Sequence, residues 1–248
     1  MTNSHQPLLL YGVGSPNVVK VGILLEELEL DYELRYVAVF KGGQFRPELL
    51  AMNPLGKVPV LVDPALGRPL YESGAILVYL AERHGRFLPE QGPDRYEVIE
   101  WVMVQMANIG PMFGQLNHFR NALRPGEEPY AEARFAQTSQ ALYRILDERL
   151  RAQSWIAGGA YSIADMAIYP WSLYLERHGL AATEYPALIR WRDAITARPA
   201  VVRYQAKSQE AFAAKSARDR RSASDAELDL LFGRGSSAPP KDYSRVRG

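Results

Sequence analysis

Tyr11-Gly12-Val13-Gly14-Ser15-Pro16-Asn17 lies between an apolar run, Leu8-Leu9-Leu10, and a run of helical periodicity from Val18 to Leu30. The join holds what a helix start requires. Ser15 can cap, Pro16 suits the first helical position, and Gly12 and Gly14 permit a sharp turn. A strand that runs straight into a helix start is also a place to hold an anion, because the first backbone N–H groups are unpaired and the helix dipole is positive there. The side chains of Ser15 and Asn17 can add donors at the same spot.

Working outward, residues 8–13 read as a buried strand and 16–30 as a helix with Val19, Ile23, Leu24 and Leu28 on one face. Tyr32 to Phe40 alternates as a strand does. Lys41-Gly-Gly-Gln44 is a loop, Arg46 to Met52 a short helical piece, and Asn53-Pro-Leu-Gly56 a turn. Lys57 to Asp63 reads as a strand, Pro64 to Pro69 as a hairpin, and Leu70-Tyr71 as the return. Glu72-Ser73-Gly74 opens a helix that runs to about Arg83. The order β-α-β-(α)-β-β-α predicts parallel pairing with an antiparallel edge at the hairpin, a thioredoxin-like layout. The two Pro and two Gly of residues 84–94 mark a linker, and beyond it the patterns are helical only. The chain thus divides into an α/β domain over 1–85, a linker over 86–94, an all-α domain over 95–214 and a mobile polar tail over 215–248 that holds one short amphipathic piece, Asp225 to Phe232. Gly110-Pro111 predicts a bend near Ile109 in the first helix of the second domain.

With 248 residues, 47% hydrophobic and 23% charged, the composition is that of a globular protein. A net charge of +1 gives no footprint for nucleic acid or an acidic membrane, and no apolar run is long enough to span a bilayer. The first residues lack the pattern of a signal peptide, which places the chain in the cytoplasm. There is no cysteine, so disulfides, thiolate metal sites and a protein-borne nucleophilic sulfur are excluded. The four histidines, His5, His84, His118 and His178, form no ligand pair at helical spacing, and no metal site is expected. His84 and His178 each sit in Glu-Arg-His-Gly, a helix-ending pattern.

Four further segments could carry chemistry. Val58-Pro59 puts a proline in a strand pattern, where it cannot donate to the ladder. On local grounds this is an edge strand beside an open cleft; a cis bond would instead turn the backbone of Val58 outward to meet an extended peptide. Glu72-Ser73 either caps the next helix or recognises an amino-acid head group, the helix-start amides holding its carboxylate and Glu72 its ammonium. Ser162-Ile-Ala-Asp165 is a capping box with a structural role. Trp101 to Gln115 is rich in Met and aromatic residues and is either core or the wall of an apolar cleft, with Asn117, His118 and Phe119 beyond its kink.

Taken together, these segments resemble the glutathione transferase family, and within it the nu-class enzymes related to bacterial disulfide-bond oxidoreductases. Glu72-Ser-Gly-Ala-Ile-Leu77 and Tyr161-Ser-Ile-Ala-Asp165 mark the wider family; Lys41-Gly-Gly-Gln-Phe-Arg-Pro-Glu48 and Gly110-Pro-Met-Phe-Gly-Gln115 look specific to the subgroup. The resemblance runs from about Leu8 to Lys215. It implies a homodimer with a glutathione site in the N-terminal domain. Val58, before a cis Pro59, would pair with the cysteinyl backbone; Glu72 and Ser73 would clamp the γ-glutamyl end; Gln44 and Lys57 would meet the glycine end. Ser15 and Asn17 stand where similar proteins place Thr and Asn beside the glutathione sulfur. A second glutathione, or glutathione disulfide, is implied near Tyr11, Asn117, His118 and Arg134. Where similar sequences have Gln-Asn-His-His-Phe, this chain has Gln115-Leu-Asn-His-Phe119, so Leu116 replaces a polar residue.

A free thiol has a pKa near 8.5, and lowering it by about two units needs roughly 2.7 kcal/mol of preference for the anion. A hydroxyl, an amide and a helix start can supply this at about 1 kcal/mol each. Tyr11, at the strand end, is the rival for that work. The bound thiolate could reduce disulfides or peroxides with a second glutathione resolving the product, or attack a carbon electrophile by conjugation or aryl-ether cleavage. Outside catalysis, the chain could be a glutathione-binding interaction protein.

Overall fold

A computed structural model of the chain describes residues 7–122, 126–235 and 241–248. In chain order the elements are β1 (Leu8–Gly12), α1 (Pro16–Glu27), β2 (Tyr32–Tyr36), α2 (Pro47–Met52), β3 (Val60–Val62), β4 (Pro69–Tyr71), α3 (Ser73–His84), α4 (Pro93–Val104), α5 (Gly110–Asn117), α6 (Pro129–Ala152), α7 (Ile163–Ser172), α8 (Pro186–Thr196), α9 (Pro199–Ser208), α10 (Ala214–Arg221), α11 (Asp225–Leu231) and α12 (Ser244–Arg247). They form two compact units. One takes in the described residues of 1–77 and 200–238, the other those of 78–199 and 239–248. No described helix is long and apolar enough to cross a membrane.

In the first unit the described strands make one sheet in the order β2-β1-β3-β4. The pair β1–β2 is parallel, as the α1 crossover requires, but β3 runs antiparallel to both β1 and β4. Parallel pairing is therefore confined to β1–β2, less than the element order led us to expect. The reason is the connection from Tyr36 to Val60. It holds 3₁₀ turns at Val39–Lys41 and Gly43–Phe45 and only the six-residue α2, not a crossover helix spanning the sheet. The core is Leu10, Val18, Ile23, Leu24, Val60, Leu61, Ile76 and Leu77, all fully buried.

Helix α1 is buried on nearly every side, including Lys20 and Gly22. A glycine inside a helix costs about 1 kcal/mol relative to alanine, so Gly22 needs a reason. It is the ring of Tyr204 on α9: a Cβ at position 22 would overlap that ring, which is itself 1% exposed. Gly22→Ala is thus expected to destabilise by about 1–3 kcal/mol through overpacking, against the usual gain from replacing a helical glycine. A urea midpoint that rises would sink this account.

The segment after Lys215, read from its composition as a mobile tail, is helical over α10 and α11. It is held by partners far away in sequence. Tyr36 OH donates to Asp219 Oδ2 (2.9 Å), and Lys41 Nζ donates to Glu227 Oε2 (2.8 Å). Residues 236–240 of that segment lie outside the described residues.

The second unit is helical. Pro111 sits in the first turn of α5, and where a bend was expected near Ile109 the backbone makes a π-helical turn over Gln105–Ile109. Such a turn lets a helix absorb a residue whose N–H is missing. Val102, Gln105, Ile109, Phe113 and Leu116 recur at helical spacing and are buried, with Phe113 stacked on Tyr143 at 4.2 Å. The inner side of the Met-rich stripe is therefore core, while Met103 is 49% exposed. His84 does end α3, followed by Gly85 at φ +61°. His178 is a core residue as well as a turn residue. It is 1% exposed, its Nδ1 lies 2.9 Å from Tyr143 OH, and burial pushes its pKa down to about 4. Ser162 and Asp165 form the expected capping box at the start of α7.

Candidate functional site

The sheet register gathers the predicted segments of the first unit. Tyr11 pairs with Val60, Val60 pairs with Tyr71, and Gly12 pairs with Tyr36. At that end β1 runs into Ser15 and Asn17, β3 begins after Val58-Pro59, β4 runs into Glu72-Ser73, and β2 leads to the loop with Gln44. Four segments scattered over residues 12–73 thus open at one end of a single sheet.

Ser15 is the N-cap of α1 with extended backbone (φ −116°, ψ 153°), yet its side chain makes no capping hydrogen bond. Backbone amides around it are already engaged. Ser15 N donates to Val13 O (2.7 Å), and Val18 N and Val19 N both donate to Ser15 O (3.0 Å each). Pro16 has no N–H. The amides offer an anion less than a bare helix start would, and the side chains of Ser15 and Asn17 weigh correspondingly more. Gly12 is required by close approach, since a Cβ there would lie 2.6 Å from Val18 Cγ1; Gly14 has nothing within 4 Å of such an atom.

The Val58–Pro59 peptide bond is cis. Pro59 precedes β3, which has a neighbour on each side, so the edge-strand reading of this proline is corrected. The turn before it is fixed by Asn53, whose Nδ2 donates to Lys57 O (2.9 Å) while its Oδ1 accepts from Leu55 N (3.0 Å). The Lys57 side chain is exposed. Gln44 is 4% exposed and its Oε1 has no hydrogen-bond partner among the described residues. A buried acceptor left open is a place for a ligand donor.

Glu72 adopts φ +70°, a left-handed conformation uncommon for a residue with a side chain, and is exposed. Its carbonyl accepts from Ile76 N (2.9 Å), so Glu72 opens α3 and Ser73 is its first residue, not its cap. The Ser73 hydroxyl instead accepts from Lys20 Nζ at 3.3 Å. Lys20 is a residue the sequence reading passed over. It is fully buried, and burial holds its pKa well below the ordinary lysine value while the charge of Glu72 pulls the other way. The signal was a lysine inside the apolar run Val18 to Leu25. Tyr11 is half-buried on β1.

In the second unit, Asn117 ends α5 and His118 opens a π-helical turn over His118–Ala122. Asn121 Nδ2 donates to Asn117 Oδ1 (3.3 Å). The His118 ring meets Phe119 edge-on at 5.1 Å, and Phe119 stacks on Phe135 of α6 at 5.6 Å. Arg134, the neighbour of Phe135, is exposed. Burial pushes His118 below the usual histidine range, aided by the charge of Lys241 and opposed by Glu127. Leu116, where similar sequences are polar, is 1% exposed and belongs to the core.

Residues 14–83 match the N-terminal domain of glutathione S-transferases, and residues 98–199 match their C-terminal domain. The chain is 43% identical over 205 residues to the disulfide-bond oxidoreductase YfcG of Escherichia coli (strain K12), an alignment covering 81% of this chain and 95% of that protein. Among solved structures, a glutathione transferase from Burkholderia graminis with two glutathione molecules bound per subunit shares 40% identity and a TM-score of 0.77, covering 85% of this chain and 91% of that one. One from Pseudomonas putida with one glutathione disulfide per subunit shares 36% identity and a TM-score of 0.76, covering 82% and 92%. With a thioredoxin-like unit and a helical unit each matched in its own right, the chain belongs to the glutathione S-transferase family.

Proposed function

We propose that the chain is a glutathione-dependent disulfide reductase with weak conjugating activity. The observation that carries this is the sheet register, which opens Ser15 and Asn17, Val58–Pro59, Glu72–Ser73 and the Gln44 loop at one end of one sheet. These groups fit a γ-glutamyl tripeptide. Glu72 and Ser73 hold its head group, the backbone of Val58 before cis Pro59 pairs with its middle, and Gln44 and Lys57 meet its glycine end. The open Oε1 of Gln44 accepts a donor from that end. Ser15 and Asn17 then donate to the sulfur, favouring the thiolate without a base. The catalytic role falls to these two; Tyr11 has no comparable position at the helix start.

Glutathione enters as substrate. Its thiolate at Ser15 and Asn17 attacks one sulfur of a small-molecule disulfide, that S–S bond breaks, and the leaving sulfur takes a proton. The thiolate of a second glutathione attacks the mixed disulfide, releasing glutathione disulfide and the second thiol. Two glutathiones are oxidised for each disulfide reduced. With no cysteine in the chain, every sulfur that reacts belongs to a substrate. Asn117, His118 and Arg134 are the groups we assign to the second glutathione. Attack of the same thiolate on an apolar carbon electrophile is the conjugating or ether-cleaving alternative.

Hydroxyethyl disulfide and a chlorodinitrobenzene-type electrophile, assayed side by side, test this reading. Faster turnover is expected with the disulfide. Conjugation far outrunning reduction would favour the alternative, and glutathione binding without turnover of either would favour an interaction protein. A homodimer is expected from the family resemblance, and light scattering reads it directly. The reaction belongs in the cytoplasm, where glutathione is kept reduced.

A further inference from the structure

Lys41 lies at the end of the Val39–Lys41 turn, next to the turn that carries Gln44, and nothing in the proposed chemistry uses it. Its Nζ donates to Ser222 O (2.8 Å) and to Glu227 Oε2 (2.8 Å). Glu227 is the third residue of α11, and the same oxygen accepts from Ser224 N (2.7 Å) and Ser224 Oγ (2.9 Å). The lysine is therefore tied to the group that caps α11. Two further contacts join the same elements. A Cβ on Gly42 would lie 3.3 Å from Leu230 Cδ2, and Tyr36, at the end of β2, donates to Asp219 of α10. On its other side the loop reaches the second glycine-end residue. A Cβ on Gly56 would lie 2.6 Å from Phe45 Cε1, so the ring of Phe45 presses on the backbone just before Lys57. The Glu227 carboxyl is held down to about 2, first by its hydrogen bond from Lys41 and then by those from Ser224.

We propose that Lys41 and Glu227 are positioning residues. By clasping α11 to the Lys41–Phe45 loop, they hold Gln44 and Lys57 where the glycine end of glutathione binds. The inference rests on the assignment of Gln44 and Lys57 above. The helices after residue 213 thereby act on co-substrate affinity by holding this loop, with the Lys41–Glu227 ion pair at its centre, and not by touching the sulfur site. Because the clasp acts on the glycine end alone, its loss should be visible with glutathione and invisible with γ-glutamylcysteine, which lacks the glycine.

Full-length wild type, Lys41→Met, Lys41→Arg and Glu227→Gln would be compared in the disulfide assay with each thiol in turn. For Lys41→Met we expect KM for glutathione to rise about tenfold with kcat within twofold of wild type, and KM for γ-glutamylcysteine to stay at its wild-type value. Lys41→Arg should restore most of the affinity, and Glu227→Gln, which keeps an acceptor for Ser224, should shift KM in the same direction by less. Equal shifts for both thiols, an unchanged KM for glutathione, or a fall in kcat alone would overturn the inference. A melting temperature measured on each variant assigns equal shifts to general unfolding, which also refutes it. If wild type binds glutathione and γ-glutamylcysteine equally well, the failure lies in the glycine-end assignment itself.

Discussion

Asp165→Ala is expected to cost the second unit about 4 kcal/mol, several times what the loss of an ordinary helix cap costs. Ser162 and Asp165 make the reciprocal capping pair, but the carboxylate does more than cap. Its Oδ1 accepts from Ile156 N (2.9 Å) and from Trp191 Nε1 (2.7 Å), and its Oδ2 accepts from Ser162 N (3.0 Å) and Ser162 Oγ (3.2 Å). It is fully buried, as are Ile156 and, almost wholly, Trp191. Alanine would strand two backbone N–H groups and an indole N–H away from water, at about 1–3 kcal/mol each before relaxation. Asn keeps one acceptor oxygen and turns an NH₂ toward two donors, so Asp165→Asn should be nearly as damaging. Ser162→Ala removes the cap and one of the four donors, strands no buried N–H on the carboxylate, and should cost about 1 kcal/mol. Urea unfolding followed by tryptophan fluorescence reports directly, since Trp191 is one of the partners. A cost for Asp165→Ala no larger than that for Ser162→Ala would refute the four-donor account.

The largest catalytic effect is expected from Ser15 and Asn17 together. If each donor favours the thiolate by about 1 kcal/mol, the double alanine variant raises the kinetic pKa of bound glutathione by about 1.5 units. With the wild-type value near 6.5, the loss in kcat/KM at saturating glutathione is roughly 30-fold well below pH 6 and about eightfold at pH 7, and it is recovered as pH rises and the thiol ionises unaided. The pH profile matters more than the loss, because a damaged fold lowers the rate at every pH. Ser15 suits the test unusually well. An N-cap serine normally contributes about 1 kcal/mol through its hydroxyl, but here that hydroxyl makes no capping bond, so Ser15→Ala should leave stability almost untouched. Wild-type profiles in both single variants would remove these residues from the sulfur site and return Tyr11 to consideration.

Local chemistry made much of this readable in advance. The Gly12-to-Asn17 join, the capping box at Ser162 and the hairpin between β3 and β4 are each specified within a few residues, and each forms where expected. What escaped the sequence depends on partners brought from afar. The partner of Lys20, Ser73 at the start of α3, lies 53 residues away and nothing in Val18 to Leu25 names it. The direction of β3 is set by what the connection from Tyr36 lacks, not by anything in Val60–Val62. Helix α10 has the composition of a mobile polar tail, α11 is legible only as a short amphipathic piece, and the contact between Lys41 and Glu227 that holds it spans 186 residues of sequence. Val58-Pro59 is intermediate. Its local pattern favoured an edge strand, and only resemblance to a family pointed to the cis bond that is present.

The ring of Tyr204 set into the gap left by Gly22 bears on the order in which the protein is made. The first unit is discontinuous in sequence, and α9 fills a space in α1 that no earlier residue fills. During synthesis the sheet and its three helices emerge first, with the face of α1 at Gly22 uncovered until α4 to α8 have been translated. The half of the molecule that begins the chain is thus among the last to be finished, and a ribosome stalled before residue 200 would display a sheet that is built but not sealed.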